Sequence, residues 1–353
     1  MANDAPSPEV VLRSTRLDST GDLALVRQLF QLNGYPRSDT EMAWVYEPCC
    51  GSAGHASLAE SAGSVAALYA AVSARFKVGD DEVPAAQSLD TMVDSRFRGM
   101  GLFTKMARAV NADMAQRGVS FVYGFPNGNS FPGFVGKLGW HALDPVPFLF
   151  RPIKAGFAVA KLSKAFGSLA RFNIPVFGAS GKSRELAVMP DAGEINSLWE
   201  GFSSQVVVAR VRDHEFMSHR YANHPRAKYR YRACYRDRAL SGLIIYCIEE
   251  KHGGRVGYVM ELMCLPGETS SASQLLADTL SDMRDAGCDG ALAWCFSHSP
   301  YHGRFLRQGF LPLPTSLRPI ELHFGYLGLS NAPDRLLAER RNWYLSYSDS
   351  DTV

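Results

Sequence analysis

The chain has 353 residues, too long for one ordinary domain, so two are expected. With 46% hydrophobic and 20% charged residues it has the composition of a soluble globular protein, and a net charge of +2 is too small to make nucleic acid its main partner. Its seven cysteines include the adjacent Cys49 and Cys50 but no CxxC pair, which points to a reducing cytoplasm and thiols packed as small apolar groups.

The opening MANDAPSPEV lacks the basic start and apolar run of a secretory peptide. No stretch approaches the roughly 18 apolar residues needed to cross a bilayer. Val10 to Asp18 reads as a strand, and Asp22 to Gly34 as a helix stopped by Asn-Gly. Glu41 to Pro48 is a short second helix ended by proline. Gly63 to Gly79 reads as one long strand or a tight hairpin pair, and Ala85 to Asp94 as another strand. Leu102 to Gly118 is an amphipathic helix, with Phe103, Met106, Val110 and Met114 at helical spacing. Val119 to Pro126 is a buried-type strand, Ser130 to Trp140 a short helix, and Pro145 to Pro152 a closing strand.

Residues 151–184 carry Lys and Arg but no acid. Leu162, Phe166 and Leu169 share a helical face flanked by Lys161, Lys164 and Arg171. That pattern suits either a linker helix or contact with an anionic membrane surface, and the short, Ala- and Gly-rich stripe favours the linker.

Beyond it the first half repeats weakly, offset by about 170 residues. Phe121 to Trp140 aligns with Leu292 to Phe310, each a strand, a polar turn, a short helix and then Gly-aromatic. Glu41 to Pro48 echoes Glu215 to Pro225. Strands at Ser241 to Glu250 and Val256 to Leu265 and a helix at Ala272 to Gly287 complete the second copy. The expected organisation is residues 1–150, a basic linker 151–185, and residues 186–353.

Between strand and helix stands Ser95-Arg96-Phe97-Arg98-Gly99-Met100-Gly101-Leu102-Phe103. A helix start leaves backbone N–H groups unpaired and carries partial positive charge, which suits a phosphate. Glycines let the backbone approach an anion, and Arg96 and Arg98 add charge at the rim. No Lys-Ser/Thr follows, so this is no Walker loop. Thr104 stands where the dinucleotide fingerprint needs its third glycine.

Arg96 to Gly101 resembles the Arg/Gln-x-x-Gly-x-Gly/Ala loop of the GNAT superfamily of acyl-CoA N-acyltransferases. Leu89 to Met106 resembles that family's strand, loop and helix start, and Asn129 to Trp140 its closing Asn-x-x-x-x-(Phe/Leu)-Tyr-x-Lys-x-Gly-Phe element. The order β-α-α-β-β-β-α-β-α-β over residues 10–150 is similar too. The resemblance implies an α/β fold of two tandem units, each a mainly antiparallel mixed sheet flanked by helices. It implies CoA pyrophosphate on the amides of Arg98, Gly99, Met100, Gly101 and Leu102. The pantetheine arm would lie along Met92 and Val93, where two strands splay, with Asn127 or Asn129 touching it. The matching place in the second half, Glu261 to Leu276, has only Gly267 and an unfavourable Glu268, as in a unit that has lost CoA. Tandem proteins of this kind use the second unit to help form the acceptor pocket. The tail Asn342 to Asp351 resembles the Trp-x-x-(Ser/Thr)-x-x-Asp-x-Asp ending of bacterial tandem GNATs of amino-sugar and polysaccharide biosynthesis.

An amine acceptor must lose a proton before it attacks a thioester, and the leaving thiolate must gain one. Asp90, on the strand before the loop, is a candidate base. The family's thiolate-protonating tyrosine would fall near residue 135, which is Val135, so either another group such as Tyr123 is the acid or the thiolate leaves into solvent. His298 is a further catalytic candidate, and His219, Tyr221, Tyr301 and Asp349 are candidates for acceptor contact. His224, Ser297, His302 and Asp351 lie in the same clusters. No HExxH pattern or suitably spaced cysteine accompanies these histidines, so no metal is expected. The Arg- and Tyr-rich stretch His224 to Arg238 suits a half-exposed strand better than a phosphate site.

The expected function is a cytoplasmic N-acyltransferase that moves an acetyl or short hydroxyacyl group from CoA to a primary amine, with the amino group of a nucleotide-linked amino sugar as the best acceptor. Acylation of a peptide, antibiotic or lipid amine and a non-catalytic acyl-CoA sensor are the alternatives.

Overall fold

The computed structural model describes residues 9–47, 53–155, 173–178, 182–318 and 320–350. The chain forms two compact units, and neither is one continuous stretch. The first is built from Met1–Phe76, Glu82–Asp144 and Leu322–Ala338, the second from Lys77–Asp81, Pro145–Glu321 and Glu339–Val353.

In chain order the elements begin with β1 (Val11–Thr15), α1 (Thr20–Leu32), α2 (Asp39–Tyr46), β2 (His55–Ser61), β3 (Ser64–Val78) and β4 (Asp81–Val93). Then come α3 (Leu102–Gln116), β5 (Phe121–Gly124), α4 (Phe131–Leu138), β6 (His141–Ala142), β7 (Phe148–Pro152) and β8 (Arg184–Leu186). The second half holds α5 (Ala192–Ser203), β9 (Val208–Arg210), α6 (His214–Met217), β10 (Arg230–Arg236), β11 (Ala239–Lys251) and β12 (Gly254–Cys264). It ends with α7 (Thr269–Asp285), β13 (Gly290–Trp294), α8 (His302–Arg307), β14 (Leu311–Pro312) and β15 (Gly325–Gly328).

The first unit's sheet runs β1-β2-β3-β4-β5-β15-β6, with β4 and β5 parallel. Successive β3 residues face opposite sides. Ala67, Tyr69 and Ala71 pack with Met106, Val110 and Met114 of α3 and Phe134 of α4. Leu68 and Ala70 pack with Val26, Leu29 and Phe30 of α1 and Met42 and Tyr46 of α2. Ser38 and Glu41 close a capping box that starts α2 two residues earlier than the apolar spacing suggests.

The second unit's sheet, read from its β8 edge, runs β8-β10-β11-β12-β13-β7-β14, with β12 and β13 parallel. Strand for strand this is the order of the first, so the weak repeat is a repeat of architecture. It also shows an exchange. The strand next to β5 is β15, from far down the chain, and the strand next to β13 is β7, from the first half.

One expectation changes, one strand is added and two readings hold. Phe148–Pro152 does not close the first sheet but lies within the second, so a boundary at residue 150 cuts through a strand. Gly63 to Gly79 is a single 15-residue strand, and β2, His55–Ser61, was not anticipated. The stretch His224 to Arg238 does contain a strand, β10, in which Arg232 pairs with Asp282. The proposed face of Leu162, Phe166 and Leu169, with Lys161, Lys164 and Arg171, falls outside the described residues, as do Cys49, Cys50 and Asp351. The described cysteines 247, 264, 288 and 295 are buried and unbridged, and burial pushes their thiols up, that of Cys288 to about 11.

Candidate active site

The turn between β4 and α3 is built from glycine conformations. Gly99 and Gly101 have φ of 83° and 71°, in the left-handed region that L side chains disfavour. A methyl group at either would meet nothing within 4 Å. These glycines are therefore required by the chain's path rather than by a close neighbour. Gly101 caps α3 with no side chain, and the first helical bond to it comes from Lys105 N. The N–H groups of Gly99 to Thr104 thus have no backbone partner, and they stand at the positive end of a 15-residue helix. Of the two arginines, Arg96 is committed: its Nε and Nη2 donate to Asp94 at 3.0 Å each. That pair holds the Asp94 carboxyl below its usual range. Arg98 is exposed.

Beside the turn the parallel pair opens. Its last matched residues are Ser88 and Gly124, and β4 continues through Met92 and Val93 without β5 beside it. A cavity of about 120 Å³ lies in this splay, lined by Ser88, Leu89, Thr91, Phe125, Asn127 and Trp140 among others. The Thr91 Oγ1 and Trp140 Nε1 atoms are buried without a hydrogen-bond partner, which fits a cleft built to receive a polar ligand chain. Asn127 uses its Oδ1 to accept from Asn129 N and Ser130 N, ordering the entry to α4. Asn129 contributes only its backbone there, and its side chain is exposed.

Asp90 does not stand ready as a base. Arg37 grips both its oxygens, at 2.6 and 2.9 Å, and the Tyr46 hydroxyl donates to it at 2.5 Å. The repeat explains why. Aligning Ser88 with Val259, the last parallel pairs of each unit, sets Glu261 opposite Asp90 in sequence position. Arg37 precedes the cap of α2, and Arg212 precedes the cap of α6. Arg212 Nε donates to Glu261 at 2.6 Å. Tyr46 and Tyr221 each stand eight residues after their helix caps, Ser38 and Asp213. A carboxylate, arginine and tyrosine thus recur where there is no glycine turn, so the set belongs to the architecture. Tyr123 is also buried away from the cleft lining, with its hydroxyl on Gln87 at 3.2 Å and its ring against Phe76.

The second unit's candidates are structural. Asp349 is fully buried, accepts from Arg212 Nη2 at 2.6 Å and from Ser346 N at 2.9 Å, and its carboxyl is pushed up, by burial first. Tyr221 bonds Ser348, and Tyr301 accepts from Cys264 N at 2.8 Å. His219 is pushed down to about 4 by burial, with Arg210 and Arg220 adding to the effect. His298 Nε2 lies 2.9 Å from Trp343 O, and burial lowers its pKa.

The tail also fills this unit's own splay. β12 and β13 part after Val259 and Ala293, and the tail closes on the freed strand, with Ser348 on Met260 O and Tyr344 on Leu262 O. Tyr347 stacks on Trp294 at 4.6 Å. At the turn, Glu268 precedes α7 and pairs with Arg236, so a carboxylate stands at that helix start.

One pair escaped the sequence reading. His323 Nδ1 lies 2.5 Å from Asp144 Oδ2, and its ring stacks on Phe131 at 3.8 Å. Its backbone N–H bonds Pro126 O, beside the splay. The two residues are 179 apart in sequence, and no local pattern joins them.

Residues 18–143 match the family model described as an acetyltransferase (GNAT) domain. No curated protein matches the chain in sequence. Solved structures share its fold over almost its whole length. N-myristoyltransferase of Saccharomyces cerevisiae with bound myristoyl-CoA superposes with a TM-score of 0.61 at 13% identity, covering 94% of this chain and 86% of its own. A GCN5-related N-acetyltransferase from Anabaena variabilis gives 0.63 at 11%, covering 90% and 72%. A probable N-acyltransferase from Enterococcus faecalis gives 0.59 at 10%, covering 92% and 71%. Within the first unit, residues 18–143 are thus similar to an acetyltransferase (GNAT) domain, and the chain shares the fold of these acyltransferase structures.

Proposed function

We propose that the first unit binds an acyl-CoA and transfers its acyl group to a primary amine. The observation that carries this is the unpaired backbone N–H set of Gly99 to Thr104 beside the β4–β5 splay. Pyrophosphate would be held by those amides with Arg98 at the rim, and the pantetheine arm by the freed edge of Met92 and Val93. The amine attacks the thioester carbonyl, a C–N bond forms, the C–S bond breaks, and the thiolate leaves into solvent and takes its proton from water. The proton released by the amine goes to His323, whose ring Asp144 orients through Nδ1.

The 120 Å³ cleft favours an acetyl or other short acyl group. The myristoyl-CoA of the yeast neighbour makes a long chain the alternative to test. For the acceptor, the tail that suggested an amino sugar is buried, so a nucleotide-linked amino sugar, a peptide and simple amines enter the assay as equals. Thiol release from acetyl-CoA and myristoyl-CoA with this amine panel decides the reading. Turnover of acetyl-CoA above its hydrolysis supports it; tight CoA binding with no turnover of any pair would make the protein a sensor.

A further inference from the structure

We propose that the β14 edge of the second unit's sheet docks on an anionic lipid surface. β14 is the end strand of that sheet, with β7 on its inner side. Around it Phe177, Leu311 and Leu317 are 73%, 63% and 55% exposed, and Leu306 and Ile320 are exposed as well. Hydrogen bonds bring their segments to one place. Gln308 Nε2 donates to Phe177 O at 3.2 Å, which sets the Phe177 segment beside the end of α8. Arg318 Nε donates to Leu313 O at 3.3 Å, which folds the Leu317 turn back towards β14. Single exposed apolar side chains are ordinary, but five around one strand edge mark an interaction surface.

The charge around them has one sign. The described stretches that build this edge are residues 145–155, 173–178, 290–318 and 320, and none contains Asp or Glu. The side chains of Arg304 and Arg307, on α8, make no hydrogen bond or ion pair among the described residues. Arg151, buried in β7 beneath them, donates to Gln308 O and Pro175 O, leaves Nη1 unpartnered, and has no carboxylate beside it among the described residues. Of the acids that bound these stretches within the unit, Asp289 is held by Lys154 at 2.7 Å, and Glu321 follows Ile320.

Aliphatic side chains ringed by unpaired guanidiniums match a bilayer with anionic headgroups, which takes in the first and attracts the second. Other occupants fit less well. A second copy seated two-fold on the same edge would set these arginines against themselves. An added β-strand would meet Pro312 in the edge and Pro314 just beyond it, neither with an N–H to give.

The test is flotation of the whole protein with vesicles of phosphatidylcholine alone and of equal parts phosphatidylcholine and phosphatidylserine. Flotation with the anionic vesicles alone, weakened by added salt, is expected. Arg304→Gln combined with Arg307→Gln should weaken it at least tenfold, at about fivefold per arginine. Leu311→Ser combined with Leu317→Ser should weaken it by about as much. Arg304→Lys with Arg307→Lys should keep it, and so should Leu32→Ser, on the exposed side of α1 in the first unit. No flotation, equal flotation with phosphatidylcholine alone, or flotation unchanged in either weakening pair overturns the proposal. Tighter binding to soluble polyglutamate than to vesicles would give the edge to an acidic protein and overturn it. So would a dimer in solution that Leu311→Ser with Leu317→Ser dissolves, which would give the edge to a second copy. Thermal melting of the variants separates lost docking from lost fold.

Discussion

The turn's glycines show how one residue's backbone sets a site. Because Gly99 needs positive φ but has open space around it, Gly99→Ala should cost about 1 kcal/mol of stability and leave the unit folded. Gly99→Glu adds a negative charge where phosphate would sit and should abolish CoA binding by calorimetry while the melting transition survives. Unchanged CoA affinity in Gly99→Glu would remove the turn from the site. His323→Asn should lower kcat far more than CoA affinity; a loss confined to KM would reassign it to positioning. Burial makes His219 a pH-dependent group. Its folded pKa of about 4 is below that of the unfolded chain, so the unfolded state binds more protons in between. The stability it contributes is full above pH about 6.5 and is lost as pH falls towards 4. Urea unfolding at pH 7.5 and 5 should show this loss, and His219→Phe should flatten it.

At the scale of elements, the tail is the clearest case of a motif that changed meaning. Trp343 to Ser350 resembled a substrate-facing end, yet all eight residues are buried. Arg212, Glu261 and Asp349 are wholly enclosed, so removing one partner leaves a buried charge uncompensated. Arg212→Ala or deletion after Asn342 should cost about 3–5 kcal/mol in denaturant unfolding. A cost below 1 kcal/mol would show that the tail is dispensable. The strands and helices carrying strong periodicity were legible from sequence: α3, β11, β12 and α7 fall where apolar spacing puts them. The glycine turn was legible because its residue types and flanks agree. Asp90 misled because a carboxylate at that strand position looks the same whether it is free or gripped by Arg37, and that partner lies 53 residues away. His323 and Asp144 could not be seen for the same reason, since their meeting depends on which strands pair.

At the scale of the whole molecule, the repeat was legible but the exchange of strands was not. Sequence order placed Phe148–Pro152 with its neighbours, whereas the hydrogen bonds place it against β13. A fragment ending at residue 150 lacks β15 and holds a strand whose partners are missing. It should therefore fail to give a cooperative unfolding transition, and a well-folded fragment would refute the exchange. One glycine turn and one filled splay lead us to expect a single CoA per chain, which titration stoichiometry would check.

The exchange also bears on synthesis at the ribosome. The first sheet waits for a strand made 183 residues after β6, from Ala142 to Gly325. At about 5–20 residues per second, roughly 10–40 s pass with the β5 edge unpaired. An exposed strand edge is a template for wrong pairing. Nascent chains should therefore need shielding until the last tenth of the message is read, and slowing translation after residue 150 should raise aggregation rather than relieve it.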